Sequence, residues 1–218
     1  MKTNFLSSSL LALIFSLTLP QIKAHAATDA PIAKANSVEN QLGAYVGYGF
    51  IPRPATLAGA YYKFSKELVG EVSFATGGYS LKFGGNGVKS DRTHIAFGSR
   101  YFLGDSFNFS GGFAYDMISN QTSYDEFTEE GNTYVKLDSS IHQLEAEIGL
   151  GNRWQIGSFV LGCDWIGVGL PLAQLSKSVS SNEGAKQLGK VDEFESDSKK
   201  QSKMMSLHFL KVDAGYSF

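Results

Sequence analysis

The sequence predicts an all-β protein, an eight-stranded antiparallel up-and-down barrel that spans a membrane. Apolar and polar residues alternate along about eight segments, as they do in strands whose successive side chains point to opposite faces. The polar face of these segments carries charges, which suit a wet barrel interior better than a dry core. The chain also ends in an alternating segment whose last residue is Phe218.

The N-terminus predicts a cleaved signal peptide over residues 1–26. Lys2 precedes an apolar stretch at 5–19, and Ala24-His-Ala26 has the small-x-small form of a cleavage site. Residues 27–40 form a polar lead-in, and residues 41–218 form the predicted barrel. The mature sequence has no apolar stretch long enough for a membrane helix. We therefore predict export into the cell envelope and location in the outer membrane.

The alternating segments of the barrel region predict eight strands, separated by short turns and long loops. We predict strands at about 41–50, 56–65, 68–75, 92–102, 107–117, 141–154, 159–165 and 207–218. Short turns are predicted near 66, 104 and 156, and long polar loops at 76–91, 119–140 and 172–205. Such asymmetry is typical of outer-membrane barrels. Within the last loop, residues 183–203 are compatible with a short surface helix or with disorder.

The C-terminal segment predicts how the barrel closes. Every second residue there is apolar or aromatic, and the residues between them are small or charged. We expect the apolar positions to face lipid, and the segment resembles the C-terminal assembly signal of bacterial outer-membrane barrels, which implies this role for Leu210, Val212, Ala214, Tyr216 and Phe218. The strand at 207–218 should pair with the strand at 41–50, because an open edge in lipid leaves backbone groups unsatisfied.

The inner face predicted by alternation is charged. We expect a lumen charge network among Arg100, Glu145, Glu147, Asp164, Lys211 and Asp213. A soluble eight-stranded barrel such as a lipocalin would instead put its apolar residues inside. The lumen of an eight-stranded barrel is only just wide enough for side chains to fill it. We therefore expect a plugged or nearly plugged barrel.

Composition excludes several classes of protein. The chain has 24 Gly, 16 Phe and 10 Tyr, and its mean hydropathy of -0.11 is too polar for a helical membrane protein. A net charge of -2 gives no indication of a nucleic-acid partner. The single Cys163 excludes an internal disulfide and lies on the apolar face of its segment, where it fits as a small packing residue.

No catalytic or metal-binding pattern is visible along the sequence. The mature chain has three histidines, His94, His142 and His208, and none lies in a pattern with a serine and an acid. The histidines are far apart, and no cysteine or carboxylate cluster has ligand spacing. We expect His94 to face inward, and His142 and His208 to be polar girdle residues near the outer rim. The prediction is a protein without enzymatic activity, metal or cofactor.

The signal peptide, the strand pattern over 41–218 and the terminal Phe218 together resemble small bacterial outer-membrane barrels. The type is represented by the transmembrane domain of outer-membrane protein A and by outer-membrane proteins X and W. The resemblance is architectural, and no functional residue is carried over from it. It implies contact with outer-membrane lipids and lipopolysaccharide, and with the barrel assembly machinery during biogenesis. It does not identify an extracellular ligand.

Three classes of function follow from a barrel of this kind. The first is a structural or interaction protein that acts through its extracellular loops. The second is a narrow channel or transporter for small solutes or ions. The third is a lipid-modifying envelope enzyme, but the sequence shows no pattern of a serine, a histidine and an acid that such an enzyme needs. The narrow lumen and the large share of residues in loops favour the first.

Overall fold

The computed structural model describes residues 41–51, 53–129 and 131–218. Within these residues, eight β-strands form one closed barrel in which consecutive strands pair antiparallel and the last strand pairs with the first. The fold class predicted from the sequence is therefore confirmed. The predicted signal peptide at 1–26 and lead-in at 27–40 lie outside the described residues.

The barrel strands differ widely in length, and two helices precede the last of them. The strands are β1 (Leu42–Phe50), β2 (Pro54–Lys63), β3 (Leu68–Phe83), β4 (Asn86–Phe102), β5 (Phe107–Thr128), β6 (Gly131–Ile156), β7 (Phe159–Ser181) and β8 (Ser206–Ser217). The helices are α1 (Glu183–Gln187) and α2 (Lys190–Gln201). Neither of these helices is long and apolar enough to cross a bilayer.

Barrel closure follows the predicted pairing. In the β1–β8 ladder, Val46 lies opposite Ala214, and Tyr48 lies opposite Val212. Beyond the ladder, the backbone N–H of Phe218 donates to the carbonyl of Leu42 at 2.7 Å. The edges of the first and last strands therefore satisfy each other, as a bilayer requires.

The strands β3 to β7 are longer than the sequence analysis predicted. The predicted loops at 76–91 and 119–140 are largely strand, and β7 continues through the start of the predicted loop at 172–205. Both faces of a strand meet water once it leaves the hydrocarbon layer, so apolar alternation fades there while the backbone ladder continues. We call residues 78–91, 119–129, 131–140 and 172–205 the extension.

The two helices lie within the extension, in the segment 183–203 that the sequence analysis left as either a short helix or disorder. The side chain of Asn182 caps α1 by accepting a hydrogen bond from the backbone N–H of Ala185 at 3.0 Å. The buried residues here are Val135, Leu137 and Ala185, and partly buried apolar residues surround them: Tyr124, Leu188, Val191 and Phe194. The helices therefore share a small apolar core with β5 and β6.

The outer wall of the barrel is apolar and exposed. Val46 is 65% exposed and Phe113 is 63% exposed. Other exposed apolar residues of the same wall are Tyr48, Tyr62, Phe74, Phe97, Tyr101, Phe109, Ile148, Leu161, Val212 and Tyr216. The free Cys163 is half-buried in this wall. A continuous surface of this kind is costly in water and suits lipid contact.

The inner wall is divided between apolar and charged residues. Strands β1 to β3 contribute buried apolar side chains: Tyr45, Leu57, Tyr61, Val69 and Ala75. A Cβ atom at Gly59 would overlap the Tyr45 ring, so glycine there lets the ring lie against the wall. Strands β4 to β8 contribute most of the charged residues. The two halves meet inside the lumen.

Replacing Phe113 with Arg tests the outer wall. A cation at this mid-wall position should lower the free energy of unfolding by about 2–4 kcal/mol in lipid vesicles. The measurement is urea unfolding followed by intrinsic fluorescence. The matched control is Tyr134→Arg, an exposed aromatic residue of the extension, which should change stability little. Equal costs at the two positions would contradict the assignment of the wall to lipid.

Candidate functional site in the barrel lumen

Apart from the buried Lys63, which donates to Gln155, the charged residues of the lumen form two clusters at different heights. The turn-side cluster lies nearer the short turns and consists of Glu71, Arg100, Arg153, Asp164, Lys211 and Asp213. The extension-side cluster lies nearer the extension and consists of Arg92, His94, Asp116, Glu145, Glu147 and His208.

Arg100 is the centre of the turn-side cluster and is almost completely buried. Its guanidinium donates two hydrogen bonds to Asp164, at 2.5 and 2.8 Å, and one to Glu71 at 2.8 Å. A further N–H donates to the side-chain oxygen of Asn108 at 3.0 Å. Lys211 Nζ lies 2.7 Å from Oδ2 of Asp164, which also accepts from Arg100. The contacts join β3, β4, β5, β7 and β8 across the barrel.

Arg153 joins this cluster to the apolar half of the lumen. Its guanidinium lies 3.3 Å from Glu71 and 3.4 Å from Asp213. The same group lies over the rings of Tyr45 and Tyr61, at 5.0 and 5.5 Å from their centroids. Stacking on aromatic faces compensates part of the cost of burying the cation.

The extension-side cluster is built on a second buried arginine. Arg92 donates to both oxygens of Asp116, at 2.6 and 2.5 Å, and to Glu145 at 3.1 Å. Glu145 also accepts hydrogen bonds from the Gln143 amide at 2.5 Å and the Ser206 hydroxyl at 2.9 Å. Asp116 and Glu145 are therefore held in place from several sides.

Two imidazoles lie beside a third carboxylate in this cluster. Nδ1 of His94 lies 3.0 Å from Asp116, and its Nε2 lies 3.5 Å from Oε1 of Glu147. Nε2 of His208 lies 3.5 Å from the same glutamate oxygen and 3.2 Å from the Ser206 hydroxyl. The two rings meet edge to face, with centroids 5.9 Å apart.

The inward position of His208 corrects the prediction of a rim residue. Simple alternation from Phe218 would turn His208 outward. Leu210 instead has a positive φ of 45°, and the β8 register against β1 shifts between Tyr48 and Phe50. Because this bulge inserts one extra residue, the alternation reverses beyond it. His142 lies on the outer face, 2.6 Å from the Tyr115 hydroxyl.

A cavity of about 70 Å³ lies between the two clusters. The polar residues that line it include Glu71, His94, Glu147, Asp164, His208 and Lys211. On the extension side of the cavity, Arg92 pairs with Asp116 and Glu145. On the turn side, Arg100 pairs with Asp164 and Glu71. The space is sufficient for a few waters or an ion, but buried ion pairs lie on either side of it.

The structure places all six charged residues named from the sequence on the inner wall, but in two groups. Arg100, Asp164, Lys211 and Asp213 belong to the turn-side cluster, and Glu145 and Glu147 to the extension-side cluster. The sequence-derived network omitted Glu71, Arg92, Asp116 and Arg153, although strict alternation places each of them inward. For the assembly signal, Val212, Ala214, Tyr216 and Phe218 are exposed, and Leu210 is exposed at the bulge.

Ser206, His208 and Glu147 do not have the geometry of a hydrolytic triad. In such a triad the serine and the acid bind opposite nitrogens of the imidazole. Here Ser206 Oγ and Glu147 Oε1 both face Nε2 of His208. The Ser206 hydroxyl also donates to Glu145. The absence of enzymatic activity stays a prediction from the sequence.

Outside the barrel, ion pairs fix α2 against the long strands. Lys190 Nζ lies 3.2 Å from Glu126 of β5, and Lys177 Nζ of β7 donates to the backbone carbonyl of Glu195 at 2.7 Å. The neighbouring Glu126 carboxylate raises the pKa of Lys190, so this ammonium stays charged at neutral pH. The helix is therefore held from both sides of the extension.

Comparison with solved structures identifies the same type of barrel. No protein-family model and no curated protein matches this sequence. The major outer membrane protein of Thermus thermophilus is similar in structure, with a TM-score of 0.55 and 14% identity over 83% of this chain and 100% of that chain. CarO2 of Acinetobacter baumannii gives a TM-score of 0.53 and 10% identity over 82% and 99%. CarO from the same organism gives 0.51 and 10% over 84% and 100%. The chain thus has the fold of small bacterial outer-membrane β-barrels.

Replacing Arg100 with Met tests the turn-side cluster. The substitution leaves Asp164 and Glu71 buried without their main partner, and should lower the free energy of unfolding by about 3–5 kcal/mol. Guanidinium unfolding in detergent measures it. The control is Lys89→Met, because Lys89 pairs with Asp91 at an exposed position and should cost at most about 1 kcal/mol. A similar small cost at Arg100 would contradict the role given to the cluster.

Proposed function

We propose that this protein is an outer-membrane barrel with a closed lumen that acts as a structural and interaction protein through its extension. The observation that carries the proposal is the folded state of the extension. Long strands continue past the ends of β1 and β2, and two helices pack on them around a small apolar core. The barrel would then serve as the anchor of an ordered binding surface.

The membrane part of the proposal rests on the barrel wall and on the sequence at both termini. The exposed apolar wall fits contact with outer-membrane lipids and, in the outer leaflet, lipopolysaccharide. Export would depend on the signal peptide at 1–26. Recognition by the barrel assembly machinery would use the exposed apolar side chains that end at Phe218. The extension then faces the outside of the cell, since long strands and loops occur on that side.

The closed-lumen part rests on the two charged clusters. Arg92 and Arg100 lie across the lumen at two heights and are held by carboxylates from several strands. Opening a continuous water path would separate buried charges from their partners, which is costly. The clusters therefore support an interaction protein over a channel.

The extension also offers an exposed apolar surface. Tyr79, Leu81, Phe83 and Val88 lie on one face of the β3–β4 hairpin, where Leu81 pairs with Val88. By register this face is continuous with the inner wall of the barrel. Phe83 is 74% exposed and Leu81 is 49% exposed. Exposed apolar groups on a rigid scaffold are typical of binding surfaces.

The proposal predicts adhesion through the extension. Bacteria that display the full chain should be retained on polystyrene, used here as an apolar probe surface. The double variant Leu81→Ser/Phe83→Ser should lose most of the retention. Lys82→Ser, on the opposite face of the same hairpin, is the matched control and should behave like the unchanged chain.

The channel alternative is tested with the same preparations. Purified full chain in planar bilayers should give no stable conductance, because the buried ion pairs of both clusters block a water path through the lumen. Reproducible conductance that changes in Arg92→Gln, together with retention that is unaffected by the Leu81→Ser/Phe83→Ser variant, would overturn the proposal in favour of a channel.

A further inference from the structure

The two charged clusters of the lumen differ in their charge balance. In the turn-side cluster, three cations face three carboxylates. In the extension-side cluster, Arg92 is accompanied by Asp116, Glu145 and Glu147, so with neutral imidazoles two negative charges are left uncompensated there. Buried charge without a counterion is strongly unfavourable. A divalent cation would restore the balance.

The carboxylates of the extension-side cluster lie where metal-ligating atoms converge. Ligand atoms of Glu145, Glu147 and His208 all lie within 4.8 Å of one another. Nε2 of His94 lies 3.5 Å from the same Glu147 oxygen that faces His208. This oxygen is enclosed and accepts no hydrogen bond within the described part of the chain. It is therefore an anionic acceptor whose nearest polar neighbours are two imidazole nitrogens.

We propose that Glu145, Glu147 and His208 bind a divalent transition-metal ion, with zinc as the best fit, and that His94 is the fourth group at this lumen site. Mixed imidazole and carboxylate ligands favour zinc and its neighbours, whereas calcium and magnesium prefer oxygen ligands alone. The inference is independent of the adhesion proposed above, because the site lies inside the barrel and not on the extension.

The surroundings of the site resemble the outer shell of a metal centre. The Nδ1 atom of His94 faces Asp116 at 3.0 Å, which would orient Nε2 toward the ion. Glu145 is oriented by the Gln143 amide and the Ser206 hydroxyl. A Cβ atom at Gly169 would overlap Glu145 and Ser206, so glycine there makes room for the group.

The site also has space and needs only small movements. Glu147, His94 and His208 line the cavity of about 70 Å³, which leaves room for an ion with a bound water. Tetrahedral zinc with bonds of about 2.0–2.2 Å places its ligand atoms about 3.3–3.6 Å apart. Binding would bring the ligand atoms, which lie within 4.8 Å of one another, to that spacing through movement of the Glu147 side chain, because hydrogen bonds from Gln143 and Ser206 hold Glu145.

The alternative way to balance the charge is protonation of His94 and His208. In that case both Nε2–H groups would donate toward Glu147, and the cluster would be neutral without a metal. Metal binding separates the two possibilities, because an imidazolium has no lone pair to offer an ion.

The test uses the full chain purified from membranes in detergent through a tag without histidine, and stripped with a chelator. Zinc binding is measured by calorimetry, and cobalt binding by visible absorption. We expect one ion per chain. Glu147→Gln and His208→Gln should each weaken zinc binding by at least about tenfold, since loss of an outer-shell partner alone costs about 10–100-fold.

His142→Gln is the matched control, because it removes a histidine from the outer face of the barrel and should leave binding unchanged. Folding of each variant is checked by the mobility of unheated samples on a gel. The proposal is overturned if the folded unchanged chain binds neither zinc nor cobalt. Loss of binding in His142→Gln, or unchanged binding in folded His208→Gln, would overturn it equally. If a lumen variant fails to fold, the cobalt spectrum of the unchanged chain decides, since imidazole coordination is visible there.

Discussion

The ion pairing of Arg100 with Asp164 and Glu71 is the interaction on which the interior of this barrel depends. Lipid contact requires an apolar outer wall, and closure of eight strands leaves a lumen that side chains must fill. Arg100 fills it with a planar cation that reaches carboxylates on β3 and β7 at once. Arg153 extends the arrangement to Asp213 and to the Tyr45 ring. The charged and apolar halves of the interior are thereby joined.

The extension-side cluster is also built on a buried arginine, but its carboxylates outnumber that arginine. Arg92 compensates Asp116 and part of Glu145, while Glu147 faces two imidazoles. The difference separates a purely structural cluster from one suited to bind an ion. In the proposed function the two clusters close the lumen, and the extension carries the surface that meets partners. A rigid, filled barrel suits the anchoring of such a surface.

The sequence was sufficient for the fold because lipid imposes strict alternation on the strands that cross it. The inward positions of Arg100 and Glu145 follow from that alternation. The extension was predicted as loops because strands surrounded by water, such as the first ten residues of β6, keep their backbone pairing without apolar alternation. His208 was misplaced because the bulge at Leu210 reverses the alternation. The group of Glu145, Glu147 and His208 was invisible for a related reason, since its members come from two strands far apart in sequence.

The most direct test of this account is a double-mutant cycle between Arg100 and Asp164. Unfolding free energies are measured in the same lipid for the unchanged chain, Arg100→Met, Asp164→Leu and the double variant. Because each single variant removes the main partner of a buried charge, we predict that the double variant is more stable than the sum of the single effects by about 1–3 kcal/mol. Additivity within about 0.5 kcal/mol would contradict the account, since it would mean that the two residues do not depend on each other in the folded barrel.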